Sequence, residues 1–153
     1  MKIEFREVVV PDEINALLDF DSRAFAEFPG DLFYAENWAQ FKSHWMIVDG
    51  EIVGCSAVVH DVDYDETPRV GSLWIVSTGI ARENRRKGYG EAMKKWQIKY
   101  ARQNGFKVVV TNMRESNAPI IKLNEKLGFK ERKRSHKYYT DPTEDAIVME
   151  LEL

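Results

Sequence analysis

Two glycines and three cations stand close together in one short segment of this chain, and residues of these types bind phosphate. The segment reads Arg85-Arg86-Lys87-Gly88-Tyr89-Gly90 and follows the apolar run Leu73–Ile80. Backbone N–H groups at the N-terminus of a helix hold phosphate, and glycine lets a ligand approach the backbone closely. The spacing therefore predicts an anion site where a buried strand passes into a helix.

Two familiar nucleotide-binding loops do not fit this segment. A Walker loop ends in Gly-Lys-Ser/Thr, and that ending is absent here. A Rossmann fingerprint needs a third glycine and a strand directly before it, and the segment has neither. A tight strand-to-helix connection with solvated cations is the structural alternative to ligand binding.

A second polar feature lies on a helix predicted within residues 117–129, which read NAPIIKLNEKLGF. The apolar residues recur at i, i+3 and i+7, and Asn124 falls on the same buried stripe. A buried amide requires hydrogen-bond partners. Asn117 lies two turns earlier, where it either caps the helix or, together with Asn124, binds a polar ligand lying in a groove.

The periodicity of apolar residues predicts the elements that position these two features. Strands are predicted at residues 2–10, 45–48, 52–61, 70–81, 106–111, 129–139 and 146–153, and helices at 11–25, 34–44, 88–104 and 116–127. Residues 70–111 are expected to form a parallel strand pair with a right-handed crossover, and the hairpins are expected to be antiparallel. The sequence thus predicts one α+β domain over residues 1–153, in α/β/α layers, with a mixed, largely antiparallel twisted sheet and helices on both faces.

The composition limits the classes of protein and partner to consider. Apolar residues make up 44% of the chain, and the single Cys55 suits a reducing compartment. No signal peptide and no membrane-spanning apolar run is recognised, so a cytoplasmic location without a membrane partner is expected. The net charge of −3 argues against nucleic acid as the main partner.

The two polar features together resemble the GNAT superfamily of acyl-CoA-dependent N-acyltransferases. Its signature Q/R-x-x-G-x-G/A is matched by Arg85, Gly88 and Gly90, and its later Glu-Lys-Leu-Gly-Phe segment is matched by residues 125–129, after Asn117. The order of elements agrees as well, so the resemblance covers nearly the whole chain. It implies a GNAT-like fold and direct transfer of an acetyl group from acetyl-CoA to a primary amine, without a metal.

The resemblance also implies where acetyl-CoA binds. Loop 85–90 is expected to hold the pyrophosphate, and the strand before it is expected to pair with the pantetheine arm like an added strand. A bulge eased by Gly79 is expected to open a slot there, in which backbone N–H groups polarise the thioester carbonyl. The implied CoA-binding residues are Thr78, Gly79, Ile80, Arg85, Arg86, Lys87, Gly88, Tyr89, Gly90, Asn117 and Asn124.

The groups that move protons in this reaction are not specified by the sequence. Many relatives have a tyrosine directly before the Glu-Lys-Leu-Gly-Phe segment that protonates the departing thiolate, whereas this chain has Asn124, which is not an acid. Candidates for a catalytic group are Asn124, His136 and Tyr138, with Tyr139 or water as further proton donors. Candidates for the general base are His44, His60, His136 and Glu36.

The missing tyrosine keeps two other functions open. One is a non-catalytic acyl-CoA-binding or regulatory domain on the same fold, and the other is a phosphate- or nucleotide-binding domain without acyl chemistry. The acceptor of the leading function is a small molecule or a protein amine. Relatives are often dimers, and the sequence leaves both a homodimer and other oligomeric states open.

An uneven distribution of charge suggests where the acceptor binds. Residues 1–70 hold 5 Lys and Arg against 15 Asp and Glu, while residues 71–153 hold 17 against 10. In the implied fold the acceptor enters beside the first two helices, so an acidic, aromatic rim is expected to attract a cationic amine there. This acidic rim consists of Glu27, Phe28, Asp31, Phe33, Tyr34, Glu36 and Trp38. Aromatics in the core and acids on the surface are the alternative interpretation.

Overall fold

The computed structural model describes residues 1–153, which form seven strands and four α-helices. The strands are β1 (Ile3–Glu7), β2 (Lys42–Val48), β3 (Glu51–Val62), β4 (Pro68–Ile80), β5 (Val108–Arg114), β6 (Lys130–Tyr139) and β7 (Glu144–Glu152). The helices are α1 (Ile14–Ala24), α2 (Ala35–Gln40), α3 (Tyr89–Gln103) and α4 (Ala118–Lys126), with short 3₁₀ turns at Pro29–Asp31 and Arg82–Asn84. None of the helices combines the length and the apolar character needed to cross a bilayer.

All seven strands join one sheet in the order β1-β2-β3-β4-β5-β7-β6. Only β4 and β5 pair in parallel, and every other neighbouring pair is antiparallel. The prediction of a mixed, largely antiparallel sheet with one parallel pair is confirmed.

Helices cover both faces of this sheet because neighbouring residues of a strand point to opposite sides. In β2, Trp45 packs in a cluster with Leu17 and Trp38 from α1 and α2. The next residue, Met46, packs in another cluster with Met93 of α3. Full burial of side chains of this size contributes about 1.5–3 kcal/mol each, so the two clusters hold the layers together.

The second predicted helix, residues 34–44, is too long. The helix ends at Gln40, and Phe41 is already extended, with φ −74° and ψ 145°. Residues 42–44 instead lengthen β2, where Lys42 pairs with Val58 and His44 with Ser56. Hydrogen bonds to β3 satisfy the backbone groups of residues 42–44, so β2 is longer than the apolar pattern of the sequence indicates.

The separation of β4 from β5 is the feature of the fold that creates space for a ligand. Pairing between the two strands covers only Ser72–Ile75 against Val108–Thr111. Beyond Ile75, β4 continues to Ile80 with no partner strand on this edge, and both strands extend past the paired region. Parallel strands that diverge in this way leave a slot between them, lined by free backbone groups.

A β-bulge lies where the two strands begin to separate, but it is not at Gly79. Ala57 pairs with Ser77 and Val58 pairs with Ile75, so Val76 is the extra residue. Gly79 pairs regularly with Cys55. A Cβ atom on Gly79 would lie 3.2 Å from both Phe20 and Phe25, so this glycine lets α1 approach the sheet closely.

Candidate functional site

A cavity of about 690 Å³ opens between β4 and β5 at the point where they diverge. Its floor is formed by both strands, and its walls come from α3, α4, the loop between α1 and α2, and the end of β6. Of the residues singled out in the sequence, those that line it are Phe28, Asp31, Phe33, Thr78, Arg85, Asn117, Tyr138 and Tyr139. Three further ionisable residues, Asp21, Lys94 and Arg114, line it as well.

The glycine-rich loop before α3 presents a row of free hydrogen-bond donors. The backbone N–H groups of residues 86 to 91 have no acceptor within the protein. Gly88 is the N-cap of α3 with φ +82°, and Arg86 is also left-handed, with φ +64°. Left-handed residues in such a loop turn successive N–H groups toward one point, and the helix N-terminus adds a partial positive charge. The geometry agrees with the predicted phosphate seat.

Arg86 and Lys87 beside this seat are exposed and form no ion pair, so both cations are free to meet an anion. Arg85 differs from them. Its guanidinium donates to the carbonyl oxygens of Ile80, at 3.3 Å, and Ala24, and lies 3.5 Å from Glu27. Arg85 therefore links the end of β4 to the end of α1 and stabilises the entrance of the cavity.

Arg114 joins the two walls at the other end of the cavity. Its side chain is 5% exposed and forms a bidentate pair with Asp31, with bonds of 3.1 and 2.8 Å. It also donates to Glu144 at 3.2 Å and to the carbonyl oxygens of Thr140 and Pro142 at 2.8 Å. One guanidinium thus links the loop after α1 to the turn between β6 and β7. We call these two segments, residues 28–34 and 138–144, the front walls.

Aromatic side chains complete the front walls. The Arg114 guanidinium stacks between Phe28 and Tyr139, at 4.7 and 4.8 Å from the ring centroids. The Tyr139 hydroxyl accepts a hydrogen bond from Asn112 at 2.9 Å, and Asn112 accepts one from Trp74 at 2.9 Å. Burial raises the pKa of Tyr139, so this phenol stays protonated and fixed.

Tyr138 stands beside Tyr139 and faces the same cavity. Its hydroxyl donates to the carbonyl of Tyr64 at 3.3 Å, and burial raises its pKa to about 12. His136, the other candidate on this strand, does not line the cavity. Its side chain is 78% exposed and hydrogen-bonds Asp145 at 3.0 Å.

The two asparagines of α4 have separate positions. Asn117 caps the helix by accepting from the Ile120 N–H at 3.4 Å, and it lines the cavity. Asn124 is fully buried and lies outside the cavity lining. Its Nδ2 contacts the Met113 sulfur at 3.8 Å, and its Oδ1 has no partner. Asn124 is therefore separated from the cavity lining, and its role in binding CoA stays a prediction.

The acidic rim is largely occupied by the protein's own cations and core. Asp31 is paired with Arg114, and Glu27 lies 3.5 Å from both Arg82 and Arg85. Trp38 is buried and packs edge-on against Phe33. The general-base candidates His44, His60 and Glu36 do not line the cavity.

Besides Arg114, two other buried ionisable residues in the cavity were not assigned a role from the sequence. Asp21 of α1 is 3% exposed; its Oδ2 accepts from the Phe33 N–H at 3.0 Å, and burial raises its pKa to about 6. Lys94 of α3 is 2% exposed and has no ion pair; burial lowers its pKa to about 8. Both residues lie on the apolar stripe of an amphipathic helix. A charged residue at such a position is the pattern by which a buried ionisable group can be found in a sequence.

Known proteins with similar sequences and structures have the same architecture. The model of the acetyltransferase (GNAT) family matches residues 12–129. An N-alpha-acetyltransferase of Sulfurisphaera tokodaii is 28% identical over 144 residues, which cover 90% of this chain and 86% of that protein. The [ribosomal protein bS18]-alanine N-acetyltransferase of Escherichia coli is 38% identical over 79 residues, half of this chain and 53% of that enzyme.

The likeness extends to three dimensions. The crystal structure of the ribosomal-protein-S18-alanine N-acetyltransferase from Escherichia coli superimposes with a TM-score of 0.80 at 23% identity. The match covers 99% of this chain and 94% of that one, so the two folds agree over their whole length.

Proposed function

The chain belongs to the acetyltransferase (GNAT) family and transfers an acetyl group from acetyl-CoA to an amine, and we propose that this amine is the α-amino group at the N-terminus of a protein or peptide. The relatives that act on α-amino groups support the proposal, because one of them matches nearly the whole chain.

The observation that carries the proposal is the buried carboxylate of Asp21 in the cavity. Burial raises its pKa to about 6. An α-ammonium group has a pKa of about 7.7–8.0, and a lysine ammonium has one of about 10.4. At pH 7 the loss of the ammonium proton costs roughly 1 kcal/mol for an α-amine and roughly 4.5 kcal/mol for lysine, and a base of pKa about 6 is too weak to reduce the larger cost. This site suits an amine of low basicity.

The geometry around Asp21 fits a role as general base. One carboxylate oxygen, Oδ2, is held by the Phe33 N–H, and the other has no hydrogen bond within the protein. The free oxygen belongs to a residue that lines the cavity, so an amine entering between the front walls meets it. A carboxylate fixed at one oxygen is oriented to accept a proton at the other.

The remaining parts of the cavity bind and orient the two substrates. The free N–H groups of residues 86–91 receive the phosphates of CoA, with Arg86 and Lys87 as counter-charges. The unpaired edge of β4 after Ile75 hydrogen-bonds the pantetheine arm, and its N–H groups near the bulge polarise the acetyl carbonyl. Tyr138 and Tyr139 line the entry of the peptide.

Acetylation of matched peptides tests the proposal. One peptide has a free N-terminal alanine and no lysine; a second has a blocked N-terminus and one lysine; spermidine represents small cationic amines. The difference of roughly 3.5 kcal/mol in proton-transfer cost corresponds to a preference of about 100-fold or more in kcat/KM for the free N-terminus. CoA release and mass spectrometry of the products measure it. Equal or higher kcat/KM for the lysine peptide or for spermidine would contradict the proposal.

The pH dependence of kcat/KM provides a separate prediction for Asp21. Wild-type kcat/KM for the peptide should rise with a logarithmic slope of about 2 below pH 6, where both Asp21 and the amine must lose protons. Above pH 6 the slope should fall to about 1, because only the amine still titrates. Asp21→Asn should lower the rate about 100-fold or more and keep a slope of about 1 throughout.

Thermal unfolding provides the control for this variant. Folding raises the pKa of Asp21 from its usual value to about 6, so the folded protein binds this proton more tightly than the unfolded chain. Ionisation of the buried carboxylate therefore lowers the free energy of unfolding increasingly as the pH rises to about 6, and the free energy of unfolding stays lowered above that pH. Asp21→Asn should be at least as stable as wild type at pH 7. A fully active variant, or one with an unchanged slope below pH 6, would exclude Asp21 as the base.

A further inference from the structure

Lys94 is a buried cation without a counter-charge. It is among the largest fully buried side chains of the protein, yet it forms no ion pair. Apart from Asp21, the other well-buried charged side chains are paired, as Arg114 is with Asp31 and Asp63 with Arg132. An unpaired buried charge is costly to the fold, and such groups concentrate at functional sites.

The position of Lys94 relates it to acetyl-CoA. It lies in the second turn of α3, just after the loop whose free N–H groups receive phosphate, and it lines the cavity together with Thr78 of β4. Its Nζ lies 6.0 Å from the centre of the ring of Phe129, a core residue outside the cavity lining. A ligand anchored at the loop and running along the free edge of β4 passes this ammonium.

We propose that Lys94 is the general acid that protonates the sulfur of CoA as the acetyl group leaves. The acceptor nitrogen forms the C–N bond, and the electrons of the C–S bond pass to sulfur. Lys94 Nζ–H gives its proton to that sulfur, which leaves CoA as a thiol and Lys94 neutral. The proton lost by the acceptor nitrogen passes to the base, and both groups re-equilibrate with solvent. The inference rests on the acetyl-CoA chemistry of the proposed function and not on the identity of the acceptor.

No other group in the cavity is as well placed for this step. Asn124 is an amide and lies outside the cavity. Tyr139 and Tyr138 belong to the front walls, where hydrogen bonds hold their hydroxyls and burial raises both pKa values. Burial lowers the pKa of Lys94 to about 8, close to the value of about 8.5 for a free thiol, so the proton is shared readily.

The titration of Lys94 reflects burial alone. The other titratable or charged groups lining the cavity are Asp21, Asp31, Arg85, Arg114, Tyr138 and Tyr139. None of them forms an ion pair with Lys94, and desolvation is the only influence on its pKa. A change in pH profile on replacing Lys94 therefore reports on this residue directly.

Lys94→Met, Lys94→Arg and a control variant, Lys99→Met, test the proposal. Lys99 lies on the exposed side of the same helix and forms no ion pair. We expect Lys94→Met to lower kcat about 100-fold, with the KM for acetyl-CoA changed only a few-fold. The same variant should have a higher Tm than wild type, because an unpaired buried charge is replaced by an apolar side chain of similar length. Lys94→Arg keeps the charge but not an easily released proton, so its kcat should stay low.

Two further measurements separate proton donation from a structural role. The fall of kcat above about pH 8 in wild type should disappear in Lys94→Met. In the binary complex with CoA alone, the ultraviolet absorbance of the thiolate should develop at lower pH in wild type than in Lys94→Met, because the ammonium stabilises the anion. This titration needs no acceptor, so it remains decisive if the peptide proposal fails.

Several outcomes would overturn the assignment. Unchanged kcat in Lys94→Met, with a raised Tm, would make Lys94 a merely tolerated buried charge. A large loss of CoA affinity with unchanged kcat would mean that it binds phosphate instead. Full activity in Lys94→Arg would show that charge alone is needed. An acetyl adduct on Lys94 in wild type, detected by mass spectrometry, would show that the residue is consumed and not recycled.

Discussion

An Arg114→Ala variant will lose acetylation of N-terminal peptides, and its free energy of unfolding will be about 3–5 kcal/mol below that of wild type. Removing the guanidinium leaves Asp31 and Glu144 without their buried partner and releases the carbonyl oxygens of Thr140 and Pro142. Those contacts are what join the two front walls. Chemical denaturation and peptide acetylation at saturating acetyl-CoA measure the two effects.

Arg132→Ala is a matched control for the loss of an ion-pair network. Arg132 also holds two carboxylates, Asp63 at 2.9 Å and Glu150 at 3.2 Å, but it does not line the cavity. The Arg132→Ala variant should have a lower free energy of unfolding than wild type and should still prefer the peptide with a free N-terminus over the lysine peptide. If the loss of peptide acetylation in both variants follows the loss in free energy of unfolding, Arg114 does not contribute to acceptor binding beyond its effect on stability.

A second variant tests the front walls if Arg114→Ala does not fold. A Cβ atom on Gly30 would lie 2.2 Å from the carbonyl oxygen of Thr140, so Gly30→Ala must move the two walls apart. Misplacement of this size reduces turnover by up to about 100-fold. Affinity for CoA, measured by calorimetry, should remain near that of wild type. Equal loss of CoA affinity and peptide turnover would indicate general unfolding instead.

The elements of the fold are predictable from the sequence because each depends on a local pattern. The Asp49-Gly50 turn, the apolar run before Arg85 and the helix stop at Gly128 all act within a few residues. The error at residues 41–44 arose because pairing with β3, a contact between distant residues, decides their conformation. The bulge at Val76 is likewise a property of strand register, which no single strand reveals.

The candidate site was predictable only in part, and the reason is that charge pairing is decided in three dimensions. The loop of residues 85–90 was recognised because its donors are consecutive in sequence. The acidic rim could not be distinguished from ordinary paired surface charge in the sequence, because Asp31 and Arg114, which neutralise each other, are 83 residues apart. Lys94 and Asp21 were visible as polar residues on apolar stripes, but only the cavity shows that both face the same space.

The second large effect concerns Gly88, where valine should weaken CoA binding by about 100-fold or more. Gly88 has φ +82° and is the N-cap of α3, so its conformation directs the free N–H groups of residues 86–91. A β-branched residue strongly disfavours this left-handed conformation, and the loop must turn its donors away from one another. Hydrogen bonds to a charged group contribute about 1.5–3 kcal/mol each, so losing two of them accounts for the expected change.

Gly50→Val separates this loss from the general cost of strain. Gly50 has φ +86°, and a Cβ atom there meets nothing within 4 Å, as is also true at Gly88. The two substitutions should therefore lower the free energy of unfolding by similar amounts, about 1–3 kcal/mol each. Only Gly88 adjoins the phosphate seat, so only Gly88→Val should change the calorimetric Kd for CoA. Equal affinities in the two variants would mean that the pyrophosphate lies elsewhere. Intact CoA binding in Gly88→Val with lost turnover would assign the loop to a later step.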